Sequence, residues 1–377
     1  MLMPDVAIMG FGTVGQGVCE VIRMNGDLIA QRTGTDGLNI RHILDLRSFP
    51  GHPLADMVTH SFEDILGDDR VTVVAETMGG LHPAYEYTLA LLNAGKSVVT
   101  SNKAVVERYG DEFAAAAKRS GAGYLYEASA GGGIPVIHPL FNCFGANDIL
   151  RVSGILNGTT NFILTKMRRE GEPFWKALSD AQANGYAEAD PSADICGTDA
   201  ARKICILAGI AFDTRIPLES LSVIEGIENI RISDFDRAAE YGCTIRLIGL
   251  AEKCGDRAKV LVAPYLVDSH SVLGVTDGVF NAVSVFGNAV GEISLYGQGA
   301  GSLPTASAVV ANMMEAVKSP AVTIIREKCP ENYVLSEDEN QDPLLAIDGD
   351  KTEIIEKAPF SEQKKALAGR RFYRILR

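Results

Sequence analysis

Residues 4–18 read PDVAIMGFGTVGQGV, an apolar strand that runs directly into Gly-x-Gly-x-x-Gly and then into a segment with helical spacing. In a dinucleotide-binding turn, Gly10 permits the tight bend, Gly12 lets the backbone approach a pyrophosphate, and Gly15 lets the helix pack close to the strand. The helix N-terminus supplies N–H groups and a positive dipole to the phosphates. The stretch predicts a dinucleotide site, and a tight strand–helix turn without a ligand is the alternative.

The segments that follow this turn alternate between strand and helix patterns. Strands are predicted at residues 5–10, 39–46, 71–77, 97–100 and 123–127. Helices are predicted at residues 13–31, 83–94 and 109–120. This alternation indicates βαβ units with parallel strands. Right-handed crossovers then give a Rossmann-type doubly wound sheet, so the first domain is predicted to be α/β.

The pattern changes after the glycine run at 131–133. Residues 134–303 mix long helices with strand-like stretches, which predicts a second domain of the α+β class. A helix of small residues at 304–318 is expected to return to the first domain, which otherwise covers residues 1–133. Residues 319–377 are richer in charge and are expected to form a short C-terminal extension.

Composition limits the class of protein. The 377 residues carry a net charge of -13, which argues against a nucleic-acid backbone or an anionic membrane as partner. No apolar run reaches the roughly 18 residues of a spanning helix, and no signal peptide is visible. The seven cysteines are scattered without a CxxC pair, as expected for reduced thiols of a cytoplasmic protein.

Three further positions bear on the cofactor. Asp45 and Arg47 end the second predicted strand, where an acidic residue commonly binds the ribose hydroxyls of NAD and an arginine can bind the 2′-phosphate of NADP. Because both are present, NAD and NADP stay open, as does a solvated loop pair. Asp45 lies farther from Gly10 than is usual, which predicts an inserted loop at 32–38. Lys103 follows the strand at 97–100, at the edge where such sheets bind ligands; an ordinary surface lysine is the alternative.

The densest polar stretch is GYAEADPSADICGTDAARK at 185–203. Asp199 and Lys203 are four residues apart at the start of a predicted helix and therefore share one face. A lysine held beside an aspartate is suited to proton transfer at a carbonyl or alcohol oxygen. A helix N-cap at Thr198 and an exposed ion pair are the alternatives. No zinc spacing, GxSxG elbow or P-loop is present in the sequence, which disfavours hydrolases and phosphotransferases.

Taken together, several motifs resemble the homoserine dehydrogenase family over roughly residues 4–317. The Gly-rich motif at 10–18 occurs in many dehydrogenases, whereas the motifs at 154–167 and 185–203 are specific in combination. The motifs are, in chain order, GFGTVGQGV at 10–18, ETMGG at 76–80, SNKA at 101–104, EASAGGGIPVI at 127–137, GILNGTTNFILTKM at 154–167, GYAEADPSADICGTDAARK at 185–203 and GQGAGSLPTASAV at 297–309.

The resemblance implies reversible oxidation of L-homoserine to L-aspartate 4-semialdehyde with NAD or NADP, a step toward threonine and methionine. It implies that Lys203 lies at the reacting oxygen with Asp199 beside it, and Lys103 is the second candidate for the catalytic lysine. It also implies that substrate is bound by Glu188, Asp194 and Lys203. The resemblance places cofactor contacts at Phe11, Gly12, Thr13, Val14, Thr77, Lys103 and Gly301. The candidate cofactor-binding residues also include the turn glycines Gly10 and Gly15 and the pair Asp45 and Arg47.

The resemblance also bears on ions, assembly and regulation. It implies a monovalent cation such as sodium, held by Glu127 and the backbone carbonyls of Ala130, Gly132 and Ile134, although the Gly-rich turn could equally be a hinge. It implies a homodimer formed by the second domain, whose strand-rich stretches would otherwise leave a sheet face open to water. Residues 319–377 contain no recognisable ACT pattern. Because the nucleotide and substrate motifs end by residue 317, we expect removal of the chain from about residue 330 to leave a folded, active enzyme.

Three other functions are weighed against this interpretation. A related NAD(P) oxidoreductase acting on another small amino-acid alcohol or semialdehyde is the nearest. Aspartate-semialdehyde dehydrogenase requires an activated cysteine, and Cys143 and Cys196 lack an adjacent base in the sequence. A catalytically silent dinucleotide-binding protein would have no use for Glu188, Asp199 and Lys203.

Overall fold

The computed structural model describes residues 3–324, 326 and 328–376. The chain forms two compact units, one from residues 1–141 and 300–327 and the other from residues 142–299 and 328–377. The first unit therefore extends past the expected border at 133. Of the expected C-terminal extension, residues 319–327 belong to the first unit and residues 328–377 to the second. No helix in the described part of the chain is long and apolar enough to cross a membrane.

The first unit is built on a six-stranded sheet with the order β3-β2-β1-β4-β5-β6. All its strand pairs are parallel. This is the strand order of a Rossmann fold, so the predicted fold class is confirmed. The strands are β1 (Asp5–Met9), β2 (Asn39–Leu44), β3 (Val58–Thr59), β4 (Val71–Glu76), β5 (Ser97–Thr100) and β6 (Tyr124–Leu125).

The helices of this unit differ from the predicted ones in two places. The helix predicted at 13–31 is broken at Asn25, a poor helix former, and the residues expected to form an inserted loop before Asp45 are partly helical. Another helix starts at Lys103 rather than 109, because the Asn102 side chain caps it by accepting from the Ala104 N–H. The helices are α1 (Thr13–Met24), α2 (Gly26–Thr33), α3 (Glu63–Leu66), α4 (Ala84–Asn93), α5 (Lys103–Ser120) and, later in the chain, α12 (Ser302–Lys318).

Helix α12 packs against α1 within the first unit. A Cβ atom on Gly17 would lie 2.7 Å from the Ser302 backbone oxygen and 3.0 Å from the Ala306 side chain. Small residues at this contact therefore let the two helix backbones approach closely. The apolar core beneath them is formed by α1, α12 and the central strands of the sheet.

The second unit is built on an eight-stranded sheet with the order β11-β10-β7-β8-β9-β14-β12-β13. Its pairs are antiparallel except β14 with β9. The strands are β7 (Ile149–Ile155), β8 (Cys243–Cys254), β9 (Arg257–Asp268), β10 (Phe280–Gly287), β11 (Gly291–Gln298), β12 (Leu344–Asp348), β13 (Lys351–Ile355) and β14 (Arg371–Ile375). The helices are α6 (Gly158–Glu170), α7 (Phe174–Ala183), α8 (Ser192–Ile195), α9 (Thr198–Ala211), α10 (Ile232–Ala239), α11 (Val272–Val275) and α13 (Phe360–Leu367).

The central strands β8 and β9 are buried at successive positions along most of their length. Since neighbouring side chains in a strand point to opposite faces, both faces of these strands are covered within the chain. The argument that an open sheet face requires a second subunit therefore fails for β8 and β9. Exposed apolar side chains remain on the β10–β11 hairpin, at Phe286, Val290 and Tyr296.

The C-terminal segment is integrated into this sheet. Strand β14 lies beside β9 in parallel, with β12 and β13 beyond it. The buried Arg374 pairs with Glu225 at 2.8 Å, and the Tyr373 hydroxyl donates to the buried Asp234 at 2.6 Å. Lys259 on β9 pairs with Asp342 of the segment. The expectation that this segment is dispensable does not agree with these contacts, because its removal would leave Asp234 and Lys259 without these partners.

We predict that truncation after residue 329 lowers the free energy of unfolding by at least about 3–5 kcal/mol, the usual cost of leaving a buried charge unpaired. Urea unfolding followed by circular dichroism measures this. Tyr373→Phe, which removes one hydrogen bond to Asp234, should cost about 1–3 kcal/mol. Ile354→Thr on the exposed outer strand β13 is the control and should change stability by less than about 0.5 kcal/mol. An unfolding midpoint for the truncated chain equal to that of the full chain would contradict the integrated role.

Candidate active site

The turn between β1 and α1 has the geometry that its glycines predict. Gly10 adopts a φ of +93°, and a Cβ on Gly15 would lie 2.0 Å from the Gly10 carbonyl oxygen. A Cβ on Gly12 would meet no atom within 4 Å. Gly10 and Gly15 are therefore required by the fold, whereas Gly12 borders open space of the kind that a pyrophosphate needs.

The first N–H groups of α1 face this space. Thr13 and Val14 are its first two residues, and the N-cap Gly12 has no side chain to satisfy their N–H groups. Phe11 is fully buried, with its ring edge-on to Phe49 at a centroid distance of 4.9 Å. The Phe11 ring thus packs behind the turn, while the N–H groups of Thr13 and Val14, at the start of α1, are of the kind that an anion site uses.

Two distant segments support the turn from the side. Thr77, just after β4, donates its hydroxyl to the Gly10 carbonyl oxygen at 2.8 Å. Gly301, with a φ of +123°, is the N-cap of α12, and the next residue, Ser302, donates its hydroxyl to the Thr13 carbonyl at 2.7 Å. Thr77 and Gly301 therefore lie at the dinucleotide turn, where the family resemblance puts cofactor contacts.

Asp45 and Arg47 also meet at this turn. Asp45 accepts from the Phe11 backbone N–H at 2.7 Å, and one of its oxygens lies 3.0 Å from an Arg47 guanidinium nitrogen. Hydrogen bonds from Arg47 are the largest cause that lowers the pKa of Asp45 to about 2. The Arg47 side chain is 61% exposed, so its guanidinium remains accessible while the Asp45 carboxylate is engaged. This excludes a fully solvated loop pair.

A buried glutamate that sequence reasoning left without a role links the loops after β4 and β5. Glu76 is fully buried, accepts from the Thr100 hydroxyl at 2.6 Å and from the Met78 N–H at 2.8 Å, and burial raises its pKa. Asn102 donates to the Gly80 carbonyl at 2.7 Å, which ties the same loops together. The feature of the sequence that could have pointed to Glu76 is an acidic residue at the end of an apolar strand. This network fixes the start of α5, where Lys103 lies half-buried at the carboxyl edge of the sheet.

In the second unit, Asp199 and Lys203 form a buried ion pair. The Lys203 ammonium nitrogen lies 2.9 Å from an Asp199 oxygen and donates to the Leu156 carbonyl at 2.7 Å. The two side chains are only 10% and 7% exposed, which excludes an exposed ion pair. The N-cap of α9 is Gly197 rather than Thr198, so the N-cap alternative is wrong.

Asn157 joins this pair to a second carboxylate. Its amide nitrogen donates to Asp194 at 2.7 Å and to Asp199 at 2.9 Å. The sequence motif GILNGTTN contains this residue, but no role was predicted for it. An asparagine before a helix suggests an N-cap, and Asn157 does cap α6. The hydrogen bonds of its amide nitrogen join residues far apart in the chain, so the local sequence does not predict them.

Glu188 lies in the exposed connection between α7 and α8. The Thr159 hydroxyl donates to the Tyr186 carbonyl at 2.6 Å, and Gln182 donates to the Glu188 carbonyl at 3.2 Å. The backbone of this loop is therefore anchored on α6 and α7, while the Glu188 residue itself is exposed to solvent. Such a carboxylate is accessible to a cationic group of a ligand.

Comparison with known proteins identifies the family of the chain. The family model described as homoserine dehydrogenase matches residues 135–314, and the one described as homoserine dehydrogenase, NAD binding domain, matches residues 10–127. The chain belongs to the homoserine dehydrogenase family. The predicted resemblance is confirmed, and the chain is a member of a family of NAD(P)-dependent oxidoreductases that act on a CH–OH group.

Individual members of the family are similar over most of their length. The homoserine dehydrogenase of Bacillus subtilis is 40% identical over 317 residues, covering 83% of this chain and 73% of the relative. A crystal structure of a homoserine dehydrogenase from Thiobacillus denitrificans has a TM-score of 0.89 and 31% identity, covering 99% of this chain and 98% of that one. A mutant hyperthermophilic archaeal homoserine dehydrogenase in complex with NADPH has a TM-score of 0.70 and 28% identity, covering 84% and 98%.

The cation site implied by the resemblance involves a carboxylate that already has a structural role. Glu127 is buried, and its oxygens accept from the N–H groups of Val136, Ile137 and His138 at 2.6–2.8 Å. Burial raises the pKa of Glu127. Among the described residues, no group of three or more His, Cys, Asp or Glu side chains could hold a metal ion. A site made of one carboxylate and the carbonyls of Ala130, Gly132 and Ile134 is of a different kind and suits a hard cation by its oxygen donors.

Replacement of Gly12 tests whether the open space beside it holds the pyrophosphate. Gly12→Ala should leave the unfolding midpoint unchanged, because Gly12 has a φ of −83° and no atom within 4 Å of a Cβ. It should weaken NADPH binding at least about tenfold, or ~1.4 kcal/mol, by filling the space of the pyrophosphate. Gly15→Ala should instead destabilise the fold by about 1–3 kcal/mol through overpacking.

NADPH fluorescence titration and urea unfolding separate these two effects. Gly26→Ala, at the open start of α2, is the matched control and should change neither binding nor the fold. Binding of NADPH by Gly12→Ala as tight as by the wild type would show that the pyrophosphate lies elsewhere.

Proposed function

We propose that this chain catalyses the reversible NAD(P)-dependent interconversion of L-homoserine and L-aspartate 4-semialdehyde, with Lys203 as the proton acceptor. The observation that carries the proposal is the buried Asp199–Lys203 pair, held by the Leu156 carbonyl and Asn157. A lysine with fixed geometry and an adjacent carboxylate suits proton transfer at an alcohol oxygen. The family membership gives the reaction class, and these residues give it a mechanism.

When bound, the nicotinamide supplies the acceptor for the hydride that leaves the alcohol carbon. In the direction of alcohol oxidation Lys203 reacts from its neutral amine form. It takes the hydroxyl proton as the C–O bond becomes a carbonyl, so the hydride carries the two electrons away and Lys203 becomes an ammonium group. Asp199 stabilises the ammonium group that results and keeps it in place. In the reverse direction, the Lys203 ammonium returns the proton to the oxygen. Lys103, at the start of α5, is the second candidate for this role.

Glu188 and Asp194 are proposed to bind the substrate. The exposed Glu188 carboxylate is suited to pair with the substrate ammonium group, because an amino-acid substrate carries a positive charge there. Asp194 accepts a hydrogen bond from the Asn157 amide, which also donates to Asp199. Its carboxylate is therefore a second hydrogen-bond acceptor for the substrate, joined through Asn157 to the Asp199–Lys203 pair. These roles distinguish an enzyme for an amino-acid alcohol from a protein that only binds a dinucleotide.

We infer that NADP is preferred over NAD. Arg47 is 61% exposed and lies after β2, where an arginine can meet a 2′-phosphate. The Asp45 carboxylate, the group that would accept from the ribose hydroxyls of NAD, is already engaged by Arg47 and the Phe11 N–H. Glu127 with the carbonyls of Ala130, Gly132 and Ile134 is proposed to hold a monovalent cation.

The location and assembly of the protein are part of the proposal. We propose a cytoplasmic enzyme, supported by seven cysteines that are all free thiols. We also propose a homodimer formed through the second unit, since a two-fold dimer is the commonest assembly and the β10–β11 hairpin exposes Phe286, Val290 and Tyr296. We propose no nucleic-acid partner, because the net charge of -13 would repel a phosphate backbone.

The proposal is tested by following absorbance at the nicotinamide band with L-homoserine, separately with NAD+ and NADP+. The wild type should turn over with both, and more efficiently with NADP+. Lys203→Ala should lower kcat by at least about a hundredfold, because it removes a group used in the transition state, and leave NADPH binding nearly unchanged. Lys103→Ala should lower kcat and also weaken cofactor binding.

Lys203→Met, which keeps the length and the apolar stem of the side chain, separates the loss of the amine from a packing defect. A kcat for Lys203→Ala close to the wild-type value would move the proton acceptor to another group. Absence of turnover by the wild type with L-homoserine, together with tight NADPH binding, would indicate a different alcohol substrate or a silent binding protein.

The proposed dimer has its own test. Light scattering should give about twice the chain mass of 40.3 kDa. Replacing Phe286 and Tyr296 by serine should shift the mass toward the monomer, whereas Trp175→Ser, which removes a still more exposed aromatic side chain on α7, should not. A monomeric mass for the wild type would contradict the assembly.

A further inference from the structure

The side chain of Asn157 lies between the two acidic residues of the second unit. It is 5% exposed, and its amide nitrogen donates one hydrogen bond to Asp194 at 2.7 Å and another to Asp199 at 2.9 Å. An amide NH2 group has two donors, and both are used. The Asp199 oxygen that accepts from Asn157 is the one that lies 2.9 Å from the Lys203 ammonium nitrogen.

A neutral amide is well suited to this position. Two carboxylates that approach each other repel, and a carboxylate or hydroxyl between them could not donate to both. The asparagine amide satisfies both without adding charge, so the Asp199 carboxylate retains its full attraction for Lys203. Because the residue is buried, these hydrogen bonds do not compete with bulk water.

The other atoms of the same segment fix the remaining parts of the site. The Asn157 side-chain oxygen accepts from the Thr160 N–H at 2.8 Å, which caps α6 and locks the orientation of the amide. The Leu156 carbonyl accepts from Lys203, and the Thr159 hydroxyl holds Tyr186 in the loop that carries Glu188. The start of α6 is thus the common anchor for the loop before α8, for α8 and for α9.

We propose that Asn157 is a positioning residue for the dehydrogenase reaction, holding Asp194 and Asp199, and through Asp199 Lys203, in the arrangement that accepts the substrate proton. This inference rests on the proposed function. It assigns to the asparagine of the GILNGTTN segment a role distinct from helix capping. Capping uses its oxygen, whereas positioning uses its nitrogen.

Asn157→Asp separates these two uses. Aspartate caps a helix as well as asparagine does, so the cap of α6 is kept. The unfolding midpoint should still fall, because a third buried carboxylate has no cation of its own, and kcat is therefore measured well below that midpoint. The replacement removes both N–H donors and adds a negative charge beside Asp194 and Asp199. We expect kcat with L-homoserine to fall about 10- to 100-fold, since small displacements of reacting groups have effects of this size. NADPH binding should not change, because the turn belongs to the other unit.

The pH dependence provides a readout that a structural defect would not produce. Asp194, Asp199 and Lys203 are the charged groups shown to contact Asn157 or its acceptors. In Asn157→Asp, the carboxylates of Asp194 and Asp199 favour protonation of the carboxyl group introduced at position 157, and that protonated group can again donate one hydrogen bond. The ratio of variant to wild-type kcat should therefore rise as the pH is lowered from about 9 to about 6.

Thr160→Val is the matched control. It removes the hydroxyl that bonds to the Asn157 oxygens at 3.0 and 3.1 Å and leaves the Asn157 amide donors in place. It should lower the unfolding midpoint while kcat stays within about threefold of the wild type. Asn157→Ser, a good cap with a single donor, serves if the aspartate variant does not fold, and should lower kcat without a large loss of stability.

Failure of this inference differs from failure of the proposed function. An active wild type with Asn157→Asp and Asn157→Ser both within threefold of its kcat, and a pH-independent ratio, would overturn the positioning role alone. Thr160→Val with a kcat as low as that of Asn157→Asp would also overturn it, because helix capping would then explain the loss. A wild type without turnover on L-homoserine would instead overturn the proposed function.

Discussion

The candidate active site of the second unit depends on keeping a lysine and an aspartate together away from water. Desolvation of two charges is costly, and mutual attraction compensates for it only when the remaining hydrogen-bonding groups are satisfied. Lys203 and Asp199 meet this condition through the Leu156 carbonyl and the Asn157 amide. The start of α6 supplies both groups, so the ends of three helices are fixed by one short segment.

The first unit is constrained differently, by backbone approach rather than by charge. A Cβ on Gly15 would lie 2.0 Å from the Gly10 carbonyl, so the turn can exist only with glycine there. Thr77 and Ser302 then hold the turn through carbonyl hydrogen bonds. The turn proposed to bind the cofactor is therefore held by backbone contacts, and Asp45 and Arg47 are joined to it by hydrogen bonds to the Phe11 N–H and carbonyl.

Several elements could be read from the chain because their signals are local. The strand at 97–100 and the turn glycines were predicted at the right positions, since β-branched runs and Gly-x-Gly-x-x-Gly act over a few residues. The break at Asn25 and the start of α5 at Lys103 were missed, because a weak helix former and a capping asparagine are weak signals within a periodic segment. The place of β14 beside β9 was also missed, since residues more than a hundred positions apart make that pair.

The sequence by itself determined the Rossmann-type unit, the dinucleotide turn and the shared face of Asp199 and Lys203, because each follows from short-range spacing. It also indicated the family, through the resemblance of its motifs to those of homoserine dehydrogenases. Only the tertiary structure decided that this pair is buried, that Asn157 bridges Asp194 and Asp199, that Asp45 bonds to the turn, and that the C-terminal segment is part of the second sheet. The physical reason is that burial and hydrogen-bond partners depend on contacts between residues far apart in the chain, which periodicity and local propensity do not encode.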